Sequence, residues 1–297
     1  MRASILAILI TGLGFATAAA AAEDTFGAKL VAPAAREFHV GALRLTALHD
    51  AQFVLPNDAK TFGVDAGTAA VSDALRSATA PTDRITLSVN ALLVRSGARL
   101  LLIDTGIGAK SHGSLLASLH AAGVRPAAVT DVLITHSHGD HVGGLVDDSG
   151  RPAFPRATIR MANAEWAWMQ KQGPAELVKA IATKVRGFEP GAQIAPGVKS
   201  VALDGHTPGH MGYEISSGKA RLLDIGDLAH SAILSLHQPQ WTMGFDNDPV
   251  LAKTTRQATL ARLAQQQELV FAPHFPFPGV GHVVAAGDTF AWQPGVP

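Results

Sequence analysis

Apolar and polar positions along the chain fall into two rhythms. The segments Leu43 to His49, Ile85 to Arg95 and Arg99-Leu-Leu-Leu-Ile103 alternate or run apolar, which predicts strands, and the Ser96-Gly97 turn between the last two predicts a hairpin. Ser114 to Ala122 carries apolar residues at helical spacing and stops at Gly123, a favoured residue just past a helix end. Asp131-Val-Leu-Ile134 is then a short buried strand, so strand, helix and strand form a crossover unit. The second half repeats the scheme. Lys199 to Leu203 predicts a strand, Met211 to Ile215 and Ala220 to Ile225 a hairpin, Val250 to Gln267 a long amphipathic helix, and Leu269-Val-Phe271 a last strand. Asn57 to Ala80 is polar and rich in small residues, and reads as a long loop or short helices. No linker or short-period repeat divides the halves, so sheets and helices belong to one domain.

The first residues break this pattern. Arg2 precedes an apolar run from Ile5 to Phe15, then small residues through Ala20-Ala21-Ala22 ahead of Glu23-Asp24. That layout predicts a secretory signal peptide over 1–22, cleaved near Ala22, then an N-terminal leader over 23–38 and the main domain over 39–297. The expected location is periplasmic or secreted, with no membrane attachment after cleavage. Composition adds two constraints. Lysine plus arginine equal aspartate plus glutamate at 24 each, which disfavours a nucleic-acid partner. Cysteine is absent while histidine numbers 13, so any metal would be held by imidazole and carboxylate.

The strands end where the chemistry gathers. Ile134 leads into Thr135-His136-Ser-His138-Gly-Asp140-His141, Leu203 leads to His206, and Phe271 leads to His274. In the first of these, the two histidines spaced by one residue can face one point while Asp140 and His141 face a neighbouring one, with Gly139 freeing the turn. Two adjacent metal positions are implied.

These residues resemble the His-x-His-x-Asp-His motif of the metallo-β-lactamase-fold hydrolases. The likeness extends to Asp104-Thr-Gly106, Gly205-His-Thr-Pro-Gly-His210, Gly226-Asp227 and Ala272-Pro-His274, in order over roughly residues 40–292. His274-Phe-Pro-Phe-Pro-Gly-Val-Gly-His282 is similar to the methyl parathion hydrolase and quorum-quenching lactonase branch. The resemblance implies an αββα sandwich of two mixed sheets flanked by helices. It implies that His136, His138 and His206 bind one divalent ion, that Asp140, His141 and His274 bind a second, and that Asp227 bridges them. Zinc is the favoured ion, and manganese, iron or cobalt also suit such ligands. Asp140 and Asp227 are the carboxylates assigned to catalysis, in which a metal-bridging hydroxide attacks a hydrophobic lactone, ester or organophosphate ester. Asp104, His210 and His282 are expected behind the ligands, orienting them by hydrogen bonds. Trp168, Phe275 and Phe277 are expected to line the substrate pocket, and a homodimer is common in this branch.

Other histidines read as surface or core positions: His39, His112, His120, His230 and His237. Asp246 and Asp248 read as a helix start, with Asp248 capping ahead of Pro249, and Asp224 as a strand residue rather than a ligand. The rival assignment is a periplasmic β-lactamase, which leaves the bridging carboxylate of Asp227 unexplained. A di-iron redox protein of this fold would place glutamate where His138 stands and would carry a flavin domain.

Overall fold

The computed structural model describes residues 27–296. The expected signal peptide over 1–22 lies outside the described residues. Two sheets face one another. The first contains β1 (Gly27–Lys29), β2 (Ala34–Val40), β3 (Leu43–Pro56), β4 (Arg84–Ser96), β5 (Arg99–Ile103), β6 (Asp131–Leu133), β7 (Thr158–Ala162) and β8 (Val185–Phe188). Its order is β1-β3-β4-β5-β6-β7-β8, with β2 also paired to β3. The second holds β9 (Gln193–Ala195), β10 (Val198–Ala202), β11 (Met211–Ser217), β12 (Ala220–Asp224), β13 (Leu269–Phe271), β14 (Val280–Ala286) and β15 (Thr289–Pro294), ordered β15 to β9 in reverse sequence. Both are mixed: β5 through β8 run parallel in the first, and β12 runs parallel to β13 in the second.

Alternation of side chains explains why these strands read as apolar runs. Leu92, Val94, Leu101 and Ile103 point inward to meet Tyr213, Ile215, Leu222 and Phe271 of the opposite sheet. Their neighbours Ala91, Leu93, Leu100 and Leu102 point outward against α2 (Leu115–Ala121), α4 (Asn163–Gln172) and α5 (Ala175–Ile181). Strands covered on both faces need apolar side chains at every position. On the other side, Leu260 and Leu263 of α7 (Pro249–Gln266) pack on Leu223 and Val270. The result is the expected αββα sandwich.

Two expectations change. The leader over 23–38 is not separate from the domain where it is described: β1 pairs with Gln52 to Val54, and β2 pairs with Leu43 to His49. Backbone hydrogen bonding to β3 recruits a segment whose side chains gave no strand pattern. Within 57–80 lies a regular helix, α1 (Gly67–Ser77), which buries Val71 and Leu75. Its three alanines favour helix, and two apolar positions four apart, Val71 and Leu75, anchor it. The remaining α-helices among the described residues are α3 (Gly139–Val142) and α6 (Leu234–His237). Asp248 caps α7 as expected, accepting from the Leu251 N–H at 3.0 Å with Pro249 in the first turn. The buried stripe of that helix, however, contains Arg256 between Ala252 and Leu260.

Candidate metal centre

All three histidine-bearing segments emerge at one end of the sandwich. β6 from the first sheet leads into the turn at His136 and then α3, β10 from the second leads to His206, and β13 leads to His274. His138 is extended, with φ −67° and ψ 157°, and α3 begins immediately after it. That change of conformation sends His136 and His138 to one point and Asp140 and His141 to another.

The first cluster comprises His136, His138, His206 and Asp227, the second Asp140, His141 and His274. In the first, His206 Nε2 lies 3.2 Å from His136 Nε2 and 3.0 Å from His138 Nδ1, and the latter two nitrogens are 3.1 Å apart. Ligands at ~2.0–2.1 Å around a tetrahedral ion stand about 3.3 Å from one another, so the spacing fits a divalent cation at their centre. Asp227 joins the clusters. Its Oδ2 lies 3.3 Å from His206 and 3.5 Å from His136, whereas its Oδ1 lies 3.2 Å from His141 and 3.1 Å from His274. The Oδ1 atom is buried without a hydrogen bond, an orphaned charge that a cation would satisfy.

Hydrogen bonds on the far side of each ring aim the free nitrogens inward. Asp104 accepts from His141 Nδ1 at 2.7 Å and from the Thr135 hydroxyl at 2.8 Å. His274 Nδ1 donates to the Ser88 carbonyl at 2.8 Å, and His206 Nδ1 donates to Asp246 at 3.0 Å. Each bond fixes a tautomer whose Nε2 carries the lone pair. His210 works differently: its Nδ1 donates to the Leu203 carbonyl at 2.7 Å, so its Nε2 accepts from the Asp227 N–H at 2.9 Å. It therefore positions the bridging carboxylate through the backbone. A side chain on Gly226 would come within 2.4 Å of that ring, and its φ is +47°, so glycine is required there.

The electrostatics follow from burial against charge. Burial pushes His136 well below the usual imidazole range, His138 to about 4 and His210 to about 3. Against the same cost of burial, Asp227 leads other carboxylates in raising His141 and His274, and Asp227 then Asp246 lift His206 to about 9. Although burial opposes it, the positive charge of His274, His141 and His136 holds Asp227 well below the carboxylate range. Protons and a metal ion thus compete for the same nitrogens.

Several expected site residues lie elsewhere. His282 sits in β14 opposite Leu269, at the start of β13 rather than the end that leads to His274. It lines a separate cleft with His39, Lys219 and Glu268, because β14 runs antiparallel and carries it away from the site. Phe275 is wholly buried in the outer layer, edge-on to Trp292 at 4.9 Å; it lies in the turn after β13, where its N–H donates to the Ala272 carbonyl at 3.2 Å. Phe277 stacks on His49 at 5.0 Å and packs against the inter-sheet core. Trp168 stands edge-on to His138 at 5.8 Å, supporting a donor rather than walling the cleft.

The walls of the cleft are Ala28, Phe53, Leu55, Leu87, Ile107 and Phe245, enclosing about 700 Å³ above Asp140, Asp227 and His274. His230, read from the sequence as a surface or core residue, also faces this space. Its Nε2 is 3.2 Å from Asp227 Oδ2 but misaligned, and both ring nitrogens are buried without partners. The only sequence signal was its position three residues after Asp227. Asp246 was legible as part of a helix start but not as the partner of His206. Its other oxygen meets Arg256 at 3.4 Å, and Arg256 also donates to the carbonyls of Pro239 and Trp241. Asp224 is fully buried with one oxygen unpartnered, and burial raises its carboxyl well above the usual range. It lies outside both donor clusters and is no ligand.

Comparison with known proteins fits this geometry. A dizinc quorum-quenching lactonase, AidC, superposes with a TM-score of 0.83 at 28% identity, covering 89% of this chain and 98% of that one. The hydrolase AbOPH, described as belonging to the beta lactamase superfamily, gives 0.81 at 31% identity over 90% and 98%. In sequence, metallo-beta-lactamase domain-containing protein 1 of Xenopus laevis is 36% identical over 120 residues, which is 40% of this chain and 43% of that protein. The match with that relative thus spans less than half of its length. The metallo-beta-lactamase superfamily model matches residues 84–274, from β4 to the last donor histidine, and the chain belongs to that superfamily.

Proposed function

We propose that this chain is a metal-dependent hydrolase that holds two divalent ions, zinc being favoured, and opens small hydrophobic lactones, esters or organophosphate esters. The observation that carries the reading is Asp227, whose two oxygens divide between two donor clusters at the floor of an apolar cleft. When bound, an ion pair in such clusters supplies an activated water and polarises the carbonyl or phosphoryl oxygen of the substrate. The chain's own residues supply the remainder. Phe53, Leu55, Leu87, Ile107 and Phe245 exclude water and take up the apolar part of the substrate. Asp140 and Asp227 present carboxylates beside the reacting group, and Asp104, Asp246 and Ser88 hold the imidazoles in one tautomer. We also propose, from the layout of residues 1–22, that the mature protein is exported from the cytoplasm after their removal, and that it forms a homodimer.

The test is a hydrolysis screen of zinc-loaded protein against acyl lactones, aryl esters, thioesters, methyl parathion and β-lactams. Turnover of lactones or esters, abolished by chelation and restored by zinc, is the expected result. Turnover of β-lactams alone would overturn the substrate assignment, and full activity after complete metal removal would overturn the mechanism.

A further inference from the structure

Glu165 is a fully buried carboxylate in the first turn of α4, away from both donor clusters in sequence and not itself one of their donors. One oxygen accepts from the Ser137 N–H at 2.7 Å and the Ser137 hydroxyl at 2.6 Å. The other accepts from the Thr207 hydroxyl at 2.7 Å and the Gly209 N–H at 3.0 Å. Ser137 lies between His136 and His138, and Thr207 follows His206. The two gripped loops come from different sheets, one after β6 and the other after β10. Gly209 is pressed so closely against α4 that a Cβ there would stand 2.2 Å from the Glu165 nitrogen. The contact is therefore built on both sides.

We propose that Glu165 is a positioning residue that assembles the first half-site, locking the three histidines of that cluster together across the sandwich before any ion arrives. The proposal rests on reading the clusters as a two-ion centre. Selectivity follows from what Glu165 does not touch: His141 is aimed by Asp104 and His274 by the Ser88 carbonyl, so the second half-site has its own supports. The carboxylate is also chemically specific. The Ser137 and Gly209 backbone N–H groups can only donate, and each needs a different oxygen. Glutamine has one oxygen and one NH2 group, so Glu165→Gln sets a donor against a donor on one loop whichever way the amide turns.

The experiment titrates metal-free wild type, Glu165→Gln and Thr207→Val with zinc against a chromophoric chelator, and reads proton NMR of the cobalt-loaded forms. Wild type is expected to bind two ions. Glu165→Gln should bind one ion at least ten-fold more weakly, with the other unchanged. Its cobalt form should keep the shifted imidazole N–H signals of His141 and His274 and lose those of His136 and His206. Thr207→Val removes one hydroxyl from the clamp and should weaken the same ion by a smaller factor, which keeps the test alive if Glu165→Gln does not fold. Two ions at wild-type affinity in both variants would overturn the proposal, as would equal weakening of both ions. Fewer than two ions in wild type would instead overturn the two-ion reading beneath it.

Discussion

The two halves of the metal centre meet the same need, a link across two sheets, with different materials. In the first, side chains do the tying: Glu165 grips both loops, and Asp246 steadies His206 while leaning on the buried Arg256. In the second, much of the tie is backbone. Ser88 donates its N–H to the His274 carbonyl at 3.1 Å and Asn90 donates its own to the Pro273 carbonyl at 2.9 Å, so β4 clasps the donor segment almost as a sheet would. The Asn90 amide adds bonds to the carbonyls of Pro273 and Phe275 at 2.8 and 2.9 Å. A half-site hung on side chains can be retuned or lost by one substitution. A half-site hung on backbone is set by strand register and resists most of them.

Breaking the shared element should have the largest effect. Asp227→Ala removes the only carboxylate among the described residues that reaches both clusters, so metal content should fall toward zero and turnover by several orders of magnitude, checked by elemental analysis and initial rates. Asp246→Ala attacks only the first half. It frees His206 to rotate and strands the buried Arg256 charge, and a broken buried pair costs ~3–5 kcal/mol. Affinity for one ion should drop roughly ten- to hundred-fold while the other is retained, as isothermal titration would show.

Asn90→Ala is the matching blow to the second half. It leaves the Phe275 carbonyl without this amide but spares the backbone bonds, so the cost should be about 1–3 kcal/mol in urea unfolding, with both ions still bound. Loss of an ion here, against retention in Asp246→Ala, would reverse the contrast between the halves. The smallest effect should come from Asp224→Asn, beside the site but outside both clusters. Burial raises its carboxyl in the folded chain above the ordinary carboxylate range, so it contributes stability below that range and loses it as pH rises through the folded value. The amide mimics the protonated form. The variant should match wild type in acid, melt a few degrees higher near neutral pH, and keep its metals and activity. A lower melting point at neutral pH would show that the carboxylate is ionised and useful.

The same contrast explains what could be read from the sequence. Donor residues sit in short motifs just past strand ends, so local spacing pointed to His136, His138, Asp140 and His141, while the family resemblance was needed to add His206, Asp227 and His274. The individual strands were accessible because strands buried on both faces announce themselves as apolar runs, whereas their order in the sheets was not. Glu165 could not be found that way, for a single glutamate in a helix carries no mark of the two loops that fold onto it. His230 and Asp246 failed for a related reason: their partners are brought by tertiary approach. Phe275 and Phe277 were misplaced because nearness in sequence was taken for nearness to the site. The chain turns at His274, and Phe275 packs into the outer layer rather than the cleft. His282 shows the larger version, in which a whole returning strand carries the residue to the other end of the sheet.

The pairing of β1 with β3 has a practical consequence for handling the protein. Ala28 is part of the cleft wall, so the described residues start beside the candidate site, whereas Val296 lines the separate cleft that His282 also lines. An affinity tag or fusion partner joined directly ahead of Gly27 would begin next to the cleft wall. The same tag joined at the other terminus would leave the entrance free, which makes C-terminal tagging the sound choice for kinetics, for immobilisation on a support, and for soaking ligands into crystals.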